Sequence, residues 1–390
     1  MTASTRPRST RSLPVWAWVL PVLSVFAAAA IPAIWYYGYS AVRDATDGKL
    51  QQTITDPAAP GYEAIVEPSP TMLVFGTDRR ENLVWAAIFA LGTADQGGSM
   101  LLVPPETIVT SPDGDRPLAE VFDESPDYAI GGLAILGDMG FGEVQIVDPA
   151  ELEALLVPLG SLEVRLADSL TESIGDGDEQ EVVRPAGTSV VEPDELAEVL
   201  AWVNPGESAV NRLLRQEAVW SAWLDALAAT EDPATALPGE SDVGIVRYLR
   251  GLAGGSHEVR ELPSAPASNP LGEVFRADGP AVRALLLEMV PFPQPAFPGD
   301  RPRVRLLDGR PDQARLLADA ATLVAARAEI SIIGNAGQFG AATTTIAFHT
   351  EQAEDWALAL RDALGTGEVV AATSPDNVID ITVTLGQDLQ

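Results

Sequence analysis

The chain has 390 residues, no cysteine, two histidines far apart (His257 and His349), and 56 acidic against 24 basic side chains, for a formal net charge of −32. These counts exclude disulfides and thiolate chemistry, argue against a His-rich metal site or a histidine-based triad, and remove nucleic acid as a partner because its phosphates would be repelled. The length exceeds one ordinary core, so two folded domains with attachments are expected, and a hydrophobic content of 46% is ample to pack them.

The first element in the chain is a charge-free run over residues 14–39, "PVWAWVLPVLSVFAAAAIPAIWYYGY", long enough to cross a bilayer as a helix. Trp16 and Trp18 stand near one end, and Trp35, Tyr36, Tyr37 and Tyr39 near the other, an arrangement that suits the two headgroup layers. The leader, residues 1–13, carries Arg6, Arg8 and Arg11 and no acid. The positive-inside rule therefore keeps the N-terminus cytoplasmic and places the rest of the chain outside the membrane. A cleaved signal peptide is the competing reading, but the apolar run exceeds the usual length of a signal-peptide core. The expected localisation is the cell membrane, single-pass, with extracytoplasmic C-terminal domains.

Residues 40–66, with "TDPAAPGYE", read as a stalk. Strands are then predicted at "TMLVFG" (71–76), "LVWAAIFAL" (83–91), "SMLLVP" (99–104), "GEVQIVD" (142–148) and "LEVRL" (162–166). A short helix is expected at 149–160, with Asp148 as N-cap and Pro149 in the first helical position. Two amphipathic helices follow, over 192–203 and 207–229. The mixture argues an α/β domain over 67–290.

"PFPQPAFPGDRP" (291–302) holds five prolines and reads as a stiff linker. Beyond it a strand (303–309), helix (311–328), strand (329–336), strand (343–349), helix (351–365) and two more strands (367–373, 377–386) form a small α/β sandwich over 303–390.

The loop "GTDRR" is the best chemical candidate. Guanidinium forks match phosphoryl oxygens bidentately, and an acid can hold a divalent cation or take a proton. Asp78 and Arg80, two apart on an extended segment, would point the same way. The loop taken alone also fits a surface turn with an Asp–Arg ion pair. In "NRLLRQ" (211–216), Arg212 and Arg215 lie one helical turn apart with Gln216 adjacent, either as a ligand-binding face or as a solvated one. Asp176, Asp178 and Glu181 lack the spacing of a calcium loop and read as a charged surface loop. "GDMGFG" (137–142) reverses the dinucleotide fingerprint and carries little weight.

In this order the motifs resemble the LytR-CpsA-Psr (LCP) family: a membrane anchor, an exported α/β domain with a mixed central sheet, and a LytR-type C-terminal domain. The C-terminal resemblance rests on "VRLLDG", "IIGNA", "TTTI" and "DITVTLGQD". The central resemblance rests on "MLVFGTDRR", "SMLLVPPETIV", "GEVQIVDPAELEALLVPLGSLEVRL", "NRLLRQ" and the closing "HEVRELP…EVFRADGPAVRALLLEMV".

The resemblance implies a Mg²⁺-assisted phosphotransferase that moves glycopolymer from a polyprenyl pyrophosphate carrier to peptidoglycan, with the lipid in an apolar cavity. It places catalysis at Asp78 and Arg80, a metal on Asp78, and the pyrophosphate or lipid head group at Arg79, Arg212, Arg215 and Gln216. Several family residues are replaced. The Arg-Ser-Asp-Thr run is Leu83, Val84, Trp85, Ala86; the Pro-Arg-Asp turn is Pro104, Pro105, Glu106; the Tyr-x-Arg-x-Arg element falls on Trp202 to Gly206; and an acid becomes Ala209.

A pyrophosphate needs several charge-assisted donors, and donors acting as a unit are lost non-additively. The expectation is therefore a catalytically degenerate domain that binds or scaffolds in cell-wall assembly, in contact with the membrane and with a polyprenyl-linked glycopolymer or other envelope proteins. The active phosphotransferase is the alternative. The apolar replacements leave open an enlarged lipid cavity.

Overall fold

The computed structural model describes residues 54–174, 179–239, 243–269, 272–310 and 313–389. The apolar run at 14–39, the leader arginines, and Asp176 and Asp178 lie outside them. Among the described residues no helix is long and apolar enough to cross a membrane.

After a short strand β1 (Glu63–Ile65), the apolar runs β2 (Thr71–Thr77) and β3 (Leu83–Leu91) pair as an antiparallel hairpin. β4 (Gly98–Val103) continues the antiparallel order beside β3. A hairpin of β5 (Ile108–Ser111) and β6 (Gly114–Pro117) leads into α1 (Leu118–Glu124) and α2 (Pro126–Gly137). β7 (Glu143–Val147) then joins β2 in parallel, and α3 (Pro149–Leu156) follows. Asp148 closes a full capping box with Glu151 at the start of α3, as the Asp–Pro junction predicts.

Two small antiparallel pairs come next, β8 (Leu162–Leu166) with β11 (Gly187–Val191), and β9 (Leu170–Ser173) with β10 (Gln180–Arg184). The helical section comprises α4 (Leu196–Ala201), α5 (Ala209–Ala228), α6 (Pro233–Ala236) and α7 (Gly244–Ala253). β12 (His257–Glu261) returns to pair in parallel with β4. The hairpin β13 (Ser264–Asn269) and β14 (Gly272–Ala277) and the helix α8 (Gly279–Met289) end this part of the chain.

The central sheet has the order β12-β4-β3-β2-β7 and mixes parallel and antiparallel neighbours. Its three inner strands, β2, β3 and β4, are apolar on both sides because both faces are covered. Met72, Val74, Trp85 and Phe89 pack with residues of α3, α4, α5 and α7; Leu73, Phe75, Ile88 and Leu101 pack with α1, α2 and α8. The alternation along β2 is the period-two geometry of a strand buried between two helical layers.

The C-terminal sheet is built from β15 (Arg303–Asp308), β16 (Glu329–Asn335), β17 (Thr345–Phe348), β18 (Glu368–Ala371) and β19 (Ile381–Leu385), with β1 at its edge. Helices α9 (Gln313–Ala325) and α10 (Glu354–Leu364) supply Leu316, Leu323, Ala357 and Leu360 to the core formed by Val304, Leu306, Ile381 and Val383.

β1 lies in the segment expected to be a stalk. It pairs antiparallel with β16, Glu63 opposite Gly334. Asn335 reinforces the join by donating Nδ2 hydrogen bonds to the carbonyls of Pro57 and Ala59, both 2.8 Å. A side chain at Gly334 would meet the Tyr62 carbonyl at 2.0 Å, so glycine is what lets the segment approach. The proline-rich segment is also held: Gly140 donates its amide to Gln294 O at 3.0 Å, and Ser69 and Phe292 exchange hydrogen bonds of 2.9 and 3.1 Å.

Candidate functional site

The hairpin register closes with Thr77 opposite Leu83, which leaves residues 78–82 as the connecting loop. Asp78 organises that loop. Its Oδ1 accepts the amides of Arg80 (2.7 Å) and Asn82 (2.9 Å), and its Oδ2 accepts Asn82 Nδ2 (2.9 Å). This is an Asx-type turn, with Glu81 in the left-handed region at φ 67°. Burial works against the Asp78 charge, but the Asn82 side chain, the two amides and the Arg80 charge outweigh it and hold the carboxyl below its ordinary range.

Arg79 and Arg80 are exposed, and among the described residues neither forms an ion pair. A lone carboxylate that already accepts three hydrogen bonds is a poor start for octahedral Mg²⁺. Among the described residues no cluster of three or more acidic or histidine side chains is placed to hold a metal.

The second candidate segment opens α5. Ser208 caps the helix, and Glu273 accepts hydrogen bonds from Ser208 Oγ and the Ala209 amide. Leu213, Trp220, Trp223, Leu224 and Leu227 form its buried stripe, and Arg215 and Gln216 lie buried with them. Gln216 Nε2 donates to the carbonyls of Val84 (3.3 Å) and Leu200 (3.2 Å), which brings the helix against the first residues of β3. The two motifs thus meet in space, but their charges do not. Arg80 is out in water, whereas Arg215 has none of its side chain exposed.

Both terminal nitrogens of Arg215 are engaged by the protein. Nη1 and Nη2 reach Glu207 Oε1 and Oε2 at 2.7 and 3.0 Å, Nη2 also donates to Trp202 O at 2.5 Å, and Asp168 Oδ1 stands 3.5 Å from Nη1. Its one unpartnered nitrogen, Nε, is buried out of reach of solvent. Asn204 ties the surround together, donating to Ser169 O (2.9 Å) and Asp168 Oδ2 (3.2 Å) and accepting from the Thr171 amide and Trp202 Nε1. Asp168 is pushed up in pKa by burial; Arg215 opposes the shift and Glu207 adds to it. Arg212 is mostly buried and ion-paired with Glu106, which the resemblance aligns with the acid of a Pro-Arg-Asp turn whose arginine position is Pro105 here.

Trp85, one of the apolar replacements, is packed on all sides. Its indole lies on Gly76, its cross-strand partner, so closely that a Cβ there would come within 1.9 Å of Nε1. It meets Trp220 edge-on at 5.4 Å, and Trp220 meets Trp223 at 5.9 Å. All three are completely buried, so no water-sized void borders them. Trp85 fills the space beside Gly76 and opens no cavity there.

The residues that the sequence reading missed are Glu207, Asp168 and Asn204. Glu207 precedes the cap of α5, so no helical spacing links it to Arg215. An acid three residues before Arg212 was the feature sought, and that position is Ala209; the carboxylate sits two residues earlier.

Residues 302–389 match the family model LytR_C, described as LytR cell envelope-related transcriptional attenuator. The chain resembles LytR proteins of the cell envelope. No curated protein sequence matches it. Among solved structures, Bacillus subtilis TagV is similar at TM-score 0.46 and 13% identity, over 58% of this chain and 98% of that one. A LytR-Csp2A-Psr enzyme from Actinomyces oris gives 0.44 and 16%, over 58% and 92%. TagT with bound octaprenyl pyrophosphate lipid gives 0.42 and 14%, over 62% and 95%.

Proposed function

We propose that this is a membrane-anchored, extracytoplasmic cell-envelope protein of LytR-CpsA-Psr type whose central domain binds or scaffolds in cell-wall glycopolymer assembly and does not transfer phosphoryl groups. One observation carries the reading: Arg215, which the family resemblance would set on a pyrophosphate, is buried against Glu207. A buried guanidinium whose fork is filled by a carboxylate cannot offer that fork to a phosphate without stranding the carboxylate, at a cost of about 3–5 kcal/mol. Glu106 pairs with Arg212 through one nitrogen, in a partly buried contact. Of the four candidate arginines, only Arg79 and Arg80 are exposed, on a chain of net charge −32.

The anchor and the orientation rest on the sequence of residues 1–39, and the envelope role on the LytR_C match and the order of motifs. The test is an incubation of the full chain, in neutral detergent, with Mg²⁺ and a short polyprenyl pyrophosphate. The expected result is no phosphate release above that of Asp78→Ala. Release by the unaltered protein that vanishes in Asp78→Ala would establish the phosphotransferase instead.

A further inference from the structure

β7 (Glu143–Val147) is an edge of the central sheet: β2 pairs with one side of it in parallel, and among the described residues no strand pairs with the other. Apart from that pairing, residues 143–147 make no backbone–backbone hydrogen bond among the described residues. An open row of N–H and C=O groups is a template for another strand, and folded proteins commonly blunt it with charge. The opposite edge, β12, is blunted in this way by Glu258, Arg260 and Glu261. β7 presents Val144 and Ile146 instead, 42% and 44% exposed.

Val144 stands beside Leu73 of β2, so it and Ile146 lie on the face that packs with α1, α2 and α8. That cover stops short of the edge. A groove of about 500 Å³ remains between α2 and the proline-rich segment, lined by Ile130, Ala134, Phe141, Val144 and Phe297, with Asp127 as the acid in its wall. The acid of the strand itself, Glu143, is occupied within the chain: its carboxylate accepts the Gly244 amide at 2.9 Å and Arg247 Nη1 at 3.1 Å.

We propose that β7 pairs antiparallel with β7 of a second copy of this chain, about a two-fold axis at Gln145 perpendicular to the sheet. "EVQIV" is self-complementary in that register. Val144 falls opposite Ile146 of the second copy, on one face, and Gln145 falls opposite Gln145. Glu143 falls opposite Val147 and Asp148 opposite Gly142, so no acid of the strand faces an acid, on a chain of net charge −32. A shift of one residue sets valine against glutamine and puts the apolar faces out of step. In the centred register Ile146 of the second copy lies across from Val144, at the mouth of the groove. Pairing over five residues is at the small end of specific interfaces, so a dissociation constant of about 10 μM, to an order of magnitude, is expected.

The test is sedimentation velocity of the full chain in neutral detergent, from about 1 to 200 μM and in about 0.3 M sodium chloride, which brackets that affinity and screens the net charge. A dimer that grows with concentration is expected. Ile146→Lys, at an exposed position, should weaken it at least tenfold with unchanged thermal unfolding, whereas Val190→Lys, at an exposed valine of β11, should associate as the parent does. Because the chain has no cysteine, disulfides can read the register. Val144→Cys mixed with Ile146→Cys should cross-link under mild oxidation, since facing Cα atoms lie about 4.5–5.5 Å apart. Either variant alone should not, because its own copies meet only on the diagonal, about 7–8 Å apart. The proposal is overturned if the chain stays monomeric throughout, if Ile146→Lys associates undiminished, or if the single cysteine variants cross-link as well as the mixture.

Discussion

Arg215 and Glu207 form a two-pronged ion pair, with neither side chain more than 1% exposed and contacts of 2.7 and 3.0 Å. Such a pair is held by its geometry, because either member alone is a buried charge. Glu207→Ala should therefore lower the unfolding free energy by about 3–5 kcal/mol. The double replacement Glu207→Leu/Arg215→Met should lose much less, since it removes both charges together. Urea denaturation followed by tryptophan fluorescence measures each step, and the double-mutant cycle isolates the coupling. Equal losses in single and double variants would show that the pair contributes only packing.

Trp85 and Gly76 make a second coupled pair. Trp85→Ala removes a fully buried indole that packs edge-on against Trp220, and should cost about 3–5 kcal/mol. Gly76→Ala should destabilise the unaltered protein because its methyl falls on the same indole. In the Trp85→Ala background that clash is gone, so adding Gly76→Ala should be close to neutral. Thermal unfolding of the four proteins gives the interaction term, and strict additivity would contradict the contact.

These two pairs also mark how far the sequence could be read. Strands β2, β3, β4 and β7 of the central sheet and β15 to β19 of the C-terminal sheet follow from apolar periodicity, and α3 from the Asp148–Pro149 cap, whereas β1, β12, α1, α7 and α8 have no such expectation. The helix α2 was not anticipated, because Gly131 and Gly132 lower its helical propensity. The structure supplies the reason for one of them: a Cβ at Gly132 would come within 2.9 Å of the Thr110 carbonyl, so the helix is docked too closely for a side chain. Asp78, Arg212 and Arg215 were legible as the unusual residues. Their employment was not, since the acids that occupy the arginines, Glu106 and Glu207, lie 106 and 8 positions away with no periodic relation.

Asp168 gives the buried network a pH dependence of definite sign. Its folded-state pKa is raised, chiefly by burial, so the folded protein holds this proton more tightly than the unfolded chain does. The associated stability is fully present below the unfolded value of about 3.9 and is lost as pH rises through the raised folded value. Asp168→Asn removes this titration. The stability difference, variant minus parent, should therefore grow in the variant's favour as pH rises through that window and stay level above it. Urea midpoints taken at half-unit intervals from pH 3 to 7 measure it; a difference that falls with pH would reverse the assignment.

The edge strand β1 carries the last prediction. Residues 57–66 reach β16 from the far end of the sequence, held by strand pairing and by the two Asn335 side-chain hydrogen bonds. Tyr62 lies in the middle of this segment, and its carbonyl accepts the Asn335 amide at 2.8 Å. Gly334→Val would place side-chain atoms where that carbonyl sits, and β1 would have to leave the sheet. Edge strands pair by few bonds, whereas the core beneath, from Val304 to Leu385, does not depend on β1. Chymotrypsin should therefore cut after Tyr62 at least tenfold faster in Gly334→Val, with the rest of the C-terminal sheet still protected. Mass spectrometry of a timed digest reads both quantities at once. Cleavage at the parental rate would mean that β1 stays docked despite the clash, while cuts throughout 303–389 would mean that the edge strand is required for the whole sheet.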